Sequence, residues 1–384
     1  ALGNATFQYA DLRESLLVST DLDAADLTGA NMAGADVEGA NLASVAALYS
    51  SSGGIKGTPL TLPDGWRLQV GYLVGPGANL SGADLSGADL SQLDFTGTNF
   101  ESSSLRAVNL DGAQLAGVAS FSWVSSGAIT GTAVSLPPNW RLSNGYLIGP
   151  QANLSSASLA GIDLTGAFLD EVIVSNADLR GAILRGASLI GVNFEGASLD
   201  SADIARADLH WSYLGGSSWV GALMQQANLS ELDLSGAVFD GADLAGVNFT
   251  YSSANGASFV GSQLQGASLS EADFSAVNFT SANLTDAAMN QTNFEESNFS
   301  QALAVGANFS WSDLIGATID GTDFTDATFD YLVSGSLQGQ PAALPTDWRL
   351  LNNALAGPSA RYFYWNVDGL DLSGFDLTHG SYGI

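Results

Sequence analysis

The chain of 384 residues has no cysteine, one lysine (Lys56), two histidines and nine prolines. Each shortage removes a class of explanation. Without cysteine there is no disulfide framework and no thiolate chemistry. His210 and His379 lie 169 residues apart, which leaves little material for a histidine-centred active site. No stretch approaches the roughly 18 consecutive apolar residues of a membrane helix, so membrane insertion is not expected. Ten basic side chains face 39 acidic ones, for a net charge of −29. A polyphosphate backbone would be repelled by that charge, so no direct nucleic-acid partner is expected. Yet only 13% of residues are charged and 46% are apolar, unlike a disordered acidic chain. The composition belongs to a protein that folds around a core.

What is present is a period of five. ADLTGANMAGADVEGANL belongs to a run with apolar centres Leu12, Leu17, Leu22, Leu27, Met32, Val37 and Leu42, and the same spacing returns from Leu80 to Leu115. A third run, Leu154 to Phe329, holds 36 centres, of which only Ala254 and Ala304 lack a large apolar side chain. Two positions before each centre stands a small residue, usually Ala, with Asp, Asn or Ser between them. Neither the 3.6-residue period of a helix nor the two-residue period of a strand produces this pattern. The chain must turn every five residues.

The A(D/N)LXX units resemble the pentapeptide-repeat family over roughly three quarters of the chain. The resemblance implies an all-β fold, a right-handed quadrilateral β-solenoid in which four repeats make one coil and the centre and the small residue point inward. Two regularities test a 20-residue coil. Trp219, Phe239, Phe259, Phe279 and Phe299 fall in one column, as stacked interior rings would. The Asp residues one before the centre in the long run, from Asp163 to Asp323, are never 20 apart, which avoids like charges on adjacent coils.

Three 28-residue segments interrupt the period, beginning at Tyr49, Trp123 and Tyr331 and ending at Pro76, Pro150 and Pro358. Each carries Leu-Pro, then Trp-Arg-Leu, then Gly-Pro. Alternating apolar residues around glycine-rich turns predict inserted β-hairpin-like modules beside the coil. Trp66, Trp140 and Trp348 would dock on its flank, with Arg67, Arg141 and Arg349 facing acidic surface. The expected organisation is solenoid over 1–48, 77–122, 151–330 (about nine coils) and 359–384, with Trp modules at 49–76, 123–150 and 331–358.

No catalytic constellation emerges: P-loop, GxGxxG, HExxH and CxxC motifs are all missing. His210 follows centre Leu209 and should face outward. Exposed Asp and Asn oxygens would suit calcium, but the nonapeptide of calcium-loaded β-rolls is lacking, so neither a metal nor another cofactor is expected. The expectation is a non-enzymatic structural or protein-interaction scaffold, an acidic rod whose main partner is a second copy of itself.

The repeat register reaches both termini without an amphipathic helical cap, which favours end-to-end association into a filament or surface assembly. The interaction candidates are Trp66, Trp140 and Trp348 and the C-terminal cluster Tyr362, Phe363, Tyr364 and Trp365. The composition also suits an extracellular or cell-surface setting. The family resemblance implies an alternative with a protein partner, a DNA mimic that binds a DNA-binding enzyme such as gyrase and works in the cytoplasm.

Overall fold

The structure, a computed structural model, describes residues 1–362 and 381–382. Its repeating element is the corner. In Leu179–Ala182 the carbonyl of Leu179 accepts the Ala182 N–H at 2.9 Å, and Gly181 between them has φ 66°. One positive φ at the third residue is the pattern of a type II turn. It recurs every five residues, so the chain changes direction every five residues. No helix occurs among the described residues.

Corners in sets of four close a right-handed square coil, and coils stack as parallel ladders. The bridges join residues 20 apart, as in Asp163 to Ile183 to Asp203 to Leu223. The hydrogen bonds alternate along each side: the Leu159 N–H reaches the Asp178 carbonyl at 2.7 Å, and the Asp178 N–H returns to the Ala157 carbonyl at 2.9 Å. Each coil is thereby the template for the next.

The chain divides into two compact units, Ala1–Leu154 and Ser155–Ile384. In the second, the interior is the aromatic column expected from the sequence. Trp219, Phe239, Phe259, Phe279 and Phe299 stack with centroid separations of 6.2, 4.9, 5.3 and 5.1 Å and interplanar angles of 13° to 23°. Neighbouring rings such as Phe249 and Phe294 meet this column edge-on. The centre and the small residue before it are both buried. Small residues predominate there because a narrow coil has little room for two large side chains on one side, with Ile162 and Leu232 as buried exceptions.

In this unit, where Ser or Thr replaces Ala at the small position, its hydroxyl is buried and donates to a backbone carbonyl. Ser262 reaches the Phe259 carbonyl at 2.8 Å, and Thr322 that of Phe299 at 2.7 Å. Ser217 has a second duty. Trp219 is fully buried, and its Nε1 donates to Ser217 Oγ at 2.6 Å, so the serine supplies the acceptor that a tryptophan in this interior requires.

The 28-residue segments are enlarged coils. The ladder steps by 28 from Ser51 to Asn79, from Ser125 to Asn153 and from Val333 to Arg361. The extra residues form antiparallel hairpins: β1 (Arg67–Gln69) with β2 (Tyr72–Val74), β5 (Arg141–Ser143) with β6 (Tyr146–Ile148), and β7 (Arg349–Leu351) with β8 (Ala354–Ala356). Both turn residues have positive φ in all three, as at Asn144 (50°) and Gly145 (76°), the tight-turn geometry that Asn-Gly favours.

These hairpins stand within the stack rather than beside it, which corrects the flank position expected from the sequence. The Ile55 N–H donates to the Gly71 carbonyl and Leu73 N–H to Ser52 Oγ. Ile129 with Gly145 and Leu147 with Ser126, then Leu337 with Asn353 and Leu355 with Ser334, repeat both bonds. In the first copy, side chains replace the missing strand. Tyr72 Oη accepts the Asp84 N–H at 3.3 Å, and Gln69 Oε1 accepts that of Asp89 at 3.2 Å.

A single extra residue before Phe121 also shifts the ladder to steps of 21, including β3 (Ser104–Arg106) with β4 (Ser125–Gly127). The last parallel pair is β9 (Arg361–Tyr362) with β10 (Ser381–Tyr382).

Replacing Ser217 by Ala should lower stability by about 1–3 kcal/mol, because the Trp219 N–H is left buried without an acceptor. Ser262→Ala should be near neutral, since Ala is the common residue at that position and no ring depends on this hydroxyl. Urea midpoints followed by circular dichroism check the contrast, and equal losses would remove the special role of Ser217.

Candidate interaction surfaces

The outward face of many coil sides is governed by an Asp or Asn one before the centre. Its Oδ1 accepts the backbone N–H two residues on, as Asp163 does from Thr165 at 2.9 Å and Asp313 from Ile315 at 2.8 Å. This bond stabilises the corner and explains why Asp and Asn recur at that position.

The 20-residue ladder places such side chains over one another, and no bridge among the described residues joins Asp to Asp. Asn is set over Asp instead: Asn109 Nδ2 donates to Asp89 Oδ1 at 3.1 Å, Asn228 to Asp208 at 3.1 Å and Asn293 to Asp273 at 3.0 Å. The amide adds a hydrogen bond where a second carboxylate would add repulsion.

Arginine occupies a few places beside these columns. Arg180 Nε and Nη2 hold both oxygens of Asp178 at 2.8 and 2.7 Å, and this paired bond draws the exposed Asp178 carboxyl down from 3.8 to about 2. Arg13 holds Asp11 in the same way, with the same result. Asp313, by contrast, is raised by burial.

The three module tryptophans are half-buried packing elements. The ring of each lies against the glycine nine residues later, Gly75, Gly149 and Gly357, so closely that a Cβ there would strike it, at 2.6 Å for Gly75. Trp140 also packs on Phe121 at 5.0 Å and Trp348 on Phe329 at 5.1 Å. This explains why Trp and Gly-Pro recur together. Arg67 reaches Asp89 at 3.9 Å, the limit of an ion pair, while no ion pair to Arg141 occurs among the described residues. Tyr362 lies in β9 opposite Tyr382. Phe363, Tyr364, Trp365 and His379 lie outside the described residues.

A different set of aromatic side chains is exposed, at corners rather than at the modules' tryptophans. Along one corner of the second unit, at 20-residue steps, stand Glu171, Gly191, Trp211, Glu231, Tyr251, Glu271, Gln291, Trp311 and Tyr331, all at positive φ. The other corners favour glycine, as at Gly216, Gly236 and Gly256 or Gly221, Gly241 and Gly261.

Glycine is at ease in this conformation, whereas an L side chain costs roughly 1–2 kcal/mol. Trp211 is nevertheless 71% exposed, Tyr251 57% and Trp311 51%. Trp311 stacks on Tyr331 with centroids 4.2 Å apart, and the Arg361 guanidinium sits 5.4 Å from its ring centre. Sequence reasoning missed these residues. Their signal is an aromatic two positions after a centre, where glycine is usual.

Among the described residues, neither the surroundings of His210 nor the depression beside Tyr213 gathers reactive groups. The His210 ring, half-buried, has Nδ1 3.1 Å from Asn228 Nδ2 and 3.6 Å from Asp208 Oδ1. Neither neighbour is a nucleophile that this imidazole could activate. The depression lined by Asn193, Glu195, Tyr213, Leu214, Gly215 and Asp233, of about 470 Å³, is likewise open and lacks a nucleophile beside a base. Among the described residues no three His, Cys, Asp or Glu side chains are grouped to hold a metal.

A profile described as pentapeptide repeats matches eight copies here, over residues 5–42, 78–117, 151–216 and 227–330. The chain belongs to the pentapeptide-repeat family. Three solved pentapeptide-repeat structures resemble it. HetL of Nostoc sp. strain PCC 7120, involved in heterocyst differentiation regulation, is 25% identical over 66% of this chain and 88% of its own, with TM-score 0.19. QnrB1, a plasmid-mediated fluoroquinolone resistance protein, is 21% identical over 51% and 91%, with TM-score 0.23. A protein of the Arabidopsis thaliana thylakoid lumen is 27% identical over 29% and 71%, with TM-score 0.16. No curated protein matches the chain. This pentapeptide-repeat protein is thus a β-solenoid scaffold of a family whose members generally serve as structural and interaction proteins.

Gly149→Ala should destabilise this pentapeptide-repeat protein by about 1–3 kcal/mol through overpacking against Trp140. In a Trp140→Ala background the same change should cost much less; additivity in denaturation would show that the ring and the glycine do not press on each other. The Asp178 pKa lies below its unfolded value, so its contribution is complete above about pH 4 and fades as pH falls through about 2. Arg180→Ala should return the carboxyl toward 3.8, as followed by NMR titration.

Proposed function

We propose that this protein is a non-enzymatic acidic scaffold for protein contacts, including contact with further copies of itself through coil stacking. The observation that carries the reading is the way polar and aromatic groups are displayed: in columns along the coil sides and corners rather than converging on one cleft. A binding protein of this kind uses an extended face, and its specificity resides in which side chains occupy the repeating outward positions.

The same backbone ladder supports self-association. A coil face presents amides and carbonyls at strand spacing, and another solenoid face presents the same groups in the same square register. Head-to-tail stacking of that kind does not close, so it produces a filament rather than a ring. The column rule adds selectivity, because a junction that set carboxylate over carboxylate would be opposed.

A second reading, mimicry of a nucleic-acid duplex toward a DNA-binding enzyme such as gyrase, is favoured by one feature. Sixteen acidic residues and no lysine or arginine lie between Arg206 and Arg349. Such a surface attracts proteins built to receive phosphates.

Sedimentation velocity and negative-stain electron microscopy over a concentration series test the first reading. Growing species that become filaments are the expected result. Single particles at every concentration would reject self-association, and inhibition of gyrase supercoiling by those particles would establish the second reading instead.

A further inference from the structure

The corner from Trp211 to Tyr331 calls for an explanation of its own. Three of its rings are exposed at a backbone geometry that glycine most often occupies at the other corners, so their side chains are retained at a conformational cost and add little to the core. Between them project Glu231 and Glu271, also exposed. The Tyr251 hydroxyl is bonded to the Glu271 carboxylate, which with the nearby Glu231 charge raises the phenol above its ordinary value. Asp233 and Asp273 occupy the adjoining coil side.

Aromatic faces alternating with carboxylates are a receptor for guanidinium and ammonium groups, which gain from the ring quadrupole and from the charge together. The ridge contains an internal precedent, the Arg361 guanidinium over the Trp311 ring. Resting on the reading of the chain as an interaction scaffold, we propose that this ridge is a docking surface for an arginine- and lysine-rich polypeptide segment. The partner's cations seat on Trp211 and Tyr251, beside Glu231 and Glu271.

Charge complementarity selects this occupant. A second copy would bring another chain of net charge −29 side by side with the first, and a polyphosphate would meet the same repulsion. Spacing agrees as well. Trp211 and Tyr251 are two coils apart, about 10 Å at strand spacing. A polyproline II segment repeats every three residues, about 9 Å, so arginine at every third position would present one cation to each ring.

The probe is a fluorescent proline-rich peptide with arginine at every third position, titrated into the full chain at low salt and read by anisotropy. Saturable binding is expected, weakened about tenfold or more in the double variant Trp211→Gly/Tyr251→Gly and weakened also in Glu231→Gln/Glu271→Gln. Glycine suits the left-handed corner, so the first variant should melt no lower than the parent. Equal affinity in parent and glycine variant would overturn the proposal. So would a lowered melting temperature, which would make the rings structural, or preference for a neutral oligosaccharide or for heparin over the peptide. Sedimentation of the same variants separates the two ideas: peptide binding without self-association leaves the ridge standing and removes the filament, and the reverse removes only the ridge.

Discussion

A positive φ at every fifth residue is the constraint on which the rest of this structure depends. Each such corner turns the chain, four of them close a coil, and closure sets residues 20 apart in hydrogen-bonding register. Glycine meets the constraint without strain, which accounts for much of its abundance, while Asp and Asn before the centre support the turn by accepting the N–H two residues on. The interior follows from the same geometry. A square coil favours one large and one small side chain per side, so Leu or Phe mostly alternates with Ala, and a polar replacement such as Ser217 carries its hydrogen bonds inward with it.

Stacking of identical turns has an electrostatic consequence. Whatever occupies an outward position is repeated at strand spacing along the column, so a charge that is harmless once becomes repulsive when copied. The chain carries its large negative charge by alternation: Asp203, Leu223 and Asp243 succeed one another on one side, and Asp233, Ser253 and Asp273 on another. Asn laid over Asp converts a repulsive contact into a hydrogen bond. High net charge and a regular ladder are compatible only under this restriction.

The enlarged coils show how the ladder absorbs extra residues. Each hairpin turns back across its own coil and is held by the same pair of bonds in all three copies, with the Trp ring pressed on the Gly-Pro glycine. A bulky side chain and an obligatory glycine nine residues apart form one packing unit. This explains two shared sequence features that have no local connection. It also assigns the tryptophans to packing, whereas the rings that face solvent stand at corners.

Much of this was determined by the sequence alone. The five-residue period, the inward pairing of centre and small residue, the 20-residue coil and the column from Trp219 to Phe299 are local and repetitive, so a short motif read many times specifies them. The avoidance of stacked Asp was legible for the same reason. Tertiary structure decided what depends on contacts between distant residues. The hairpins enter the stack because their amides find partners on the first side of the same coil, which no spacing rule reveals. Trp66, Trp140 and Trp348 turned inward because a glycine opened space for them. Trp211, Tyr251 and Trp311 became a ridge because coil closure brought residues 20 and 40 apart onto one edge, and their strained geometry is a property of the folded corner.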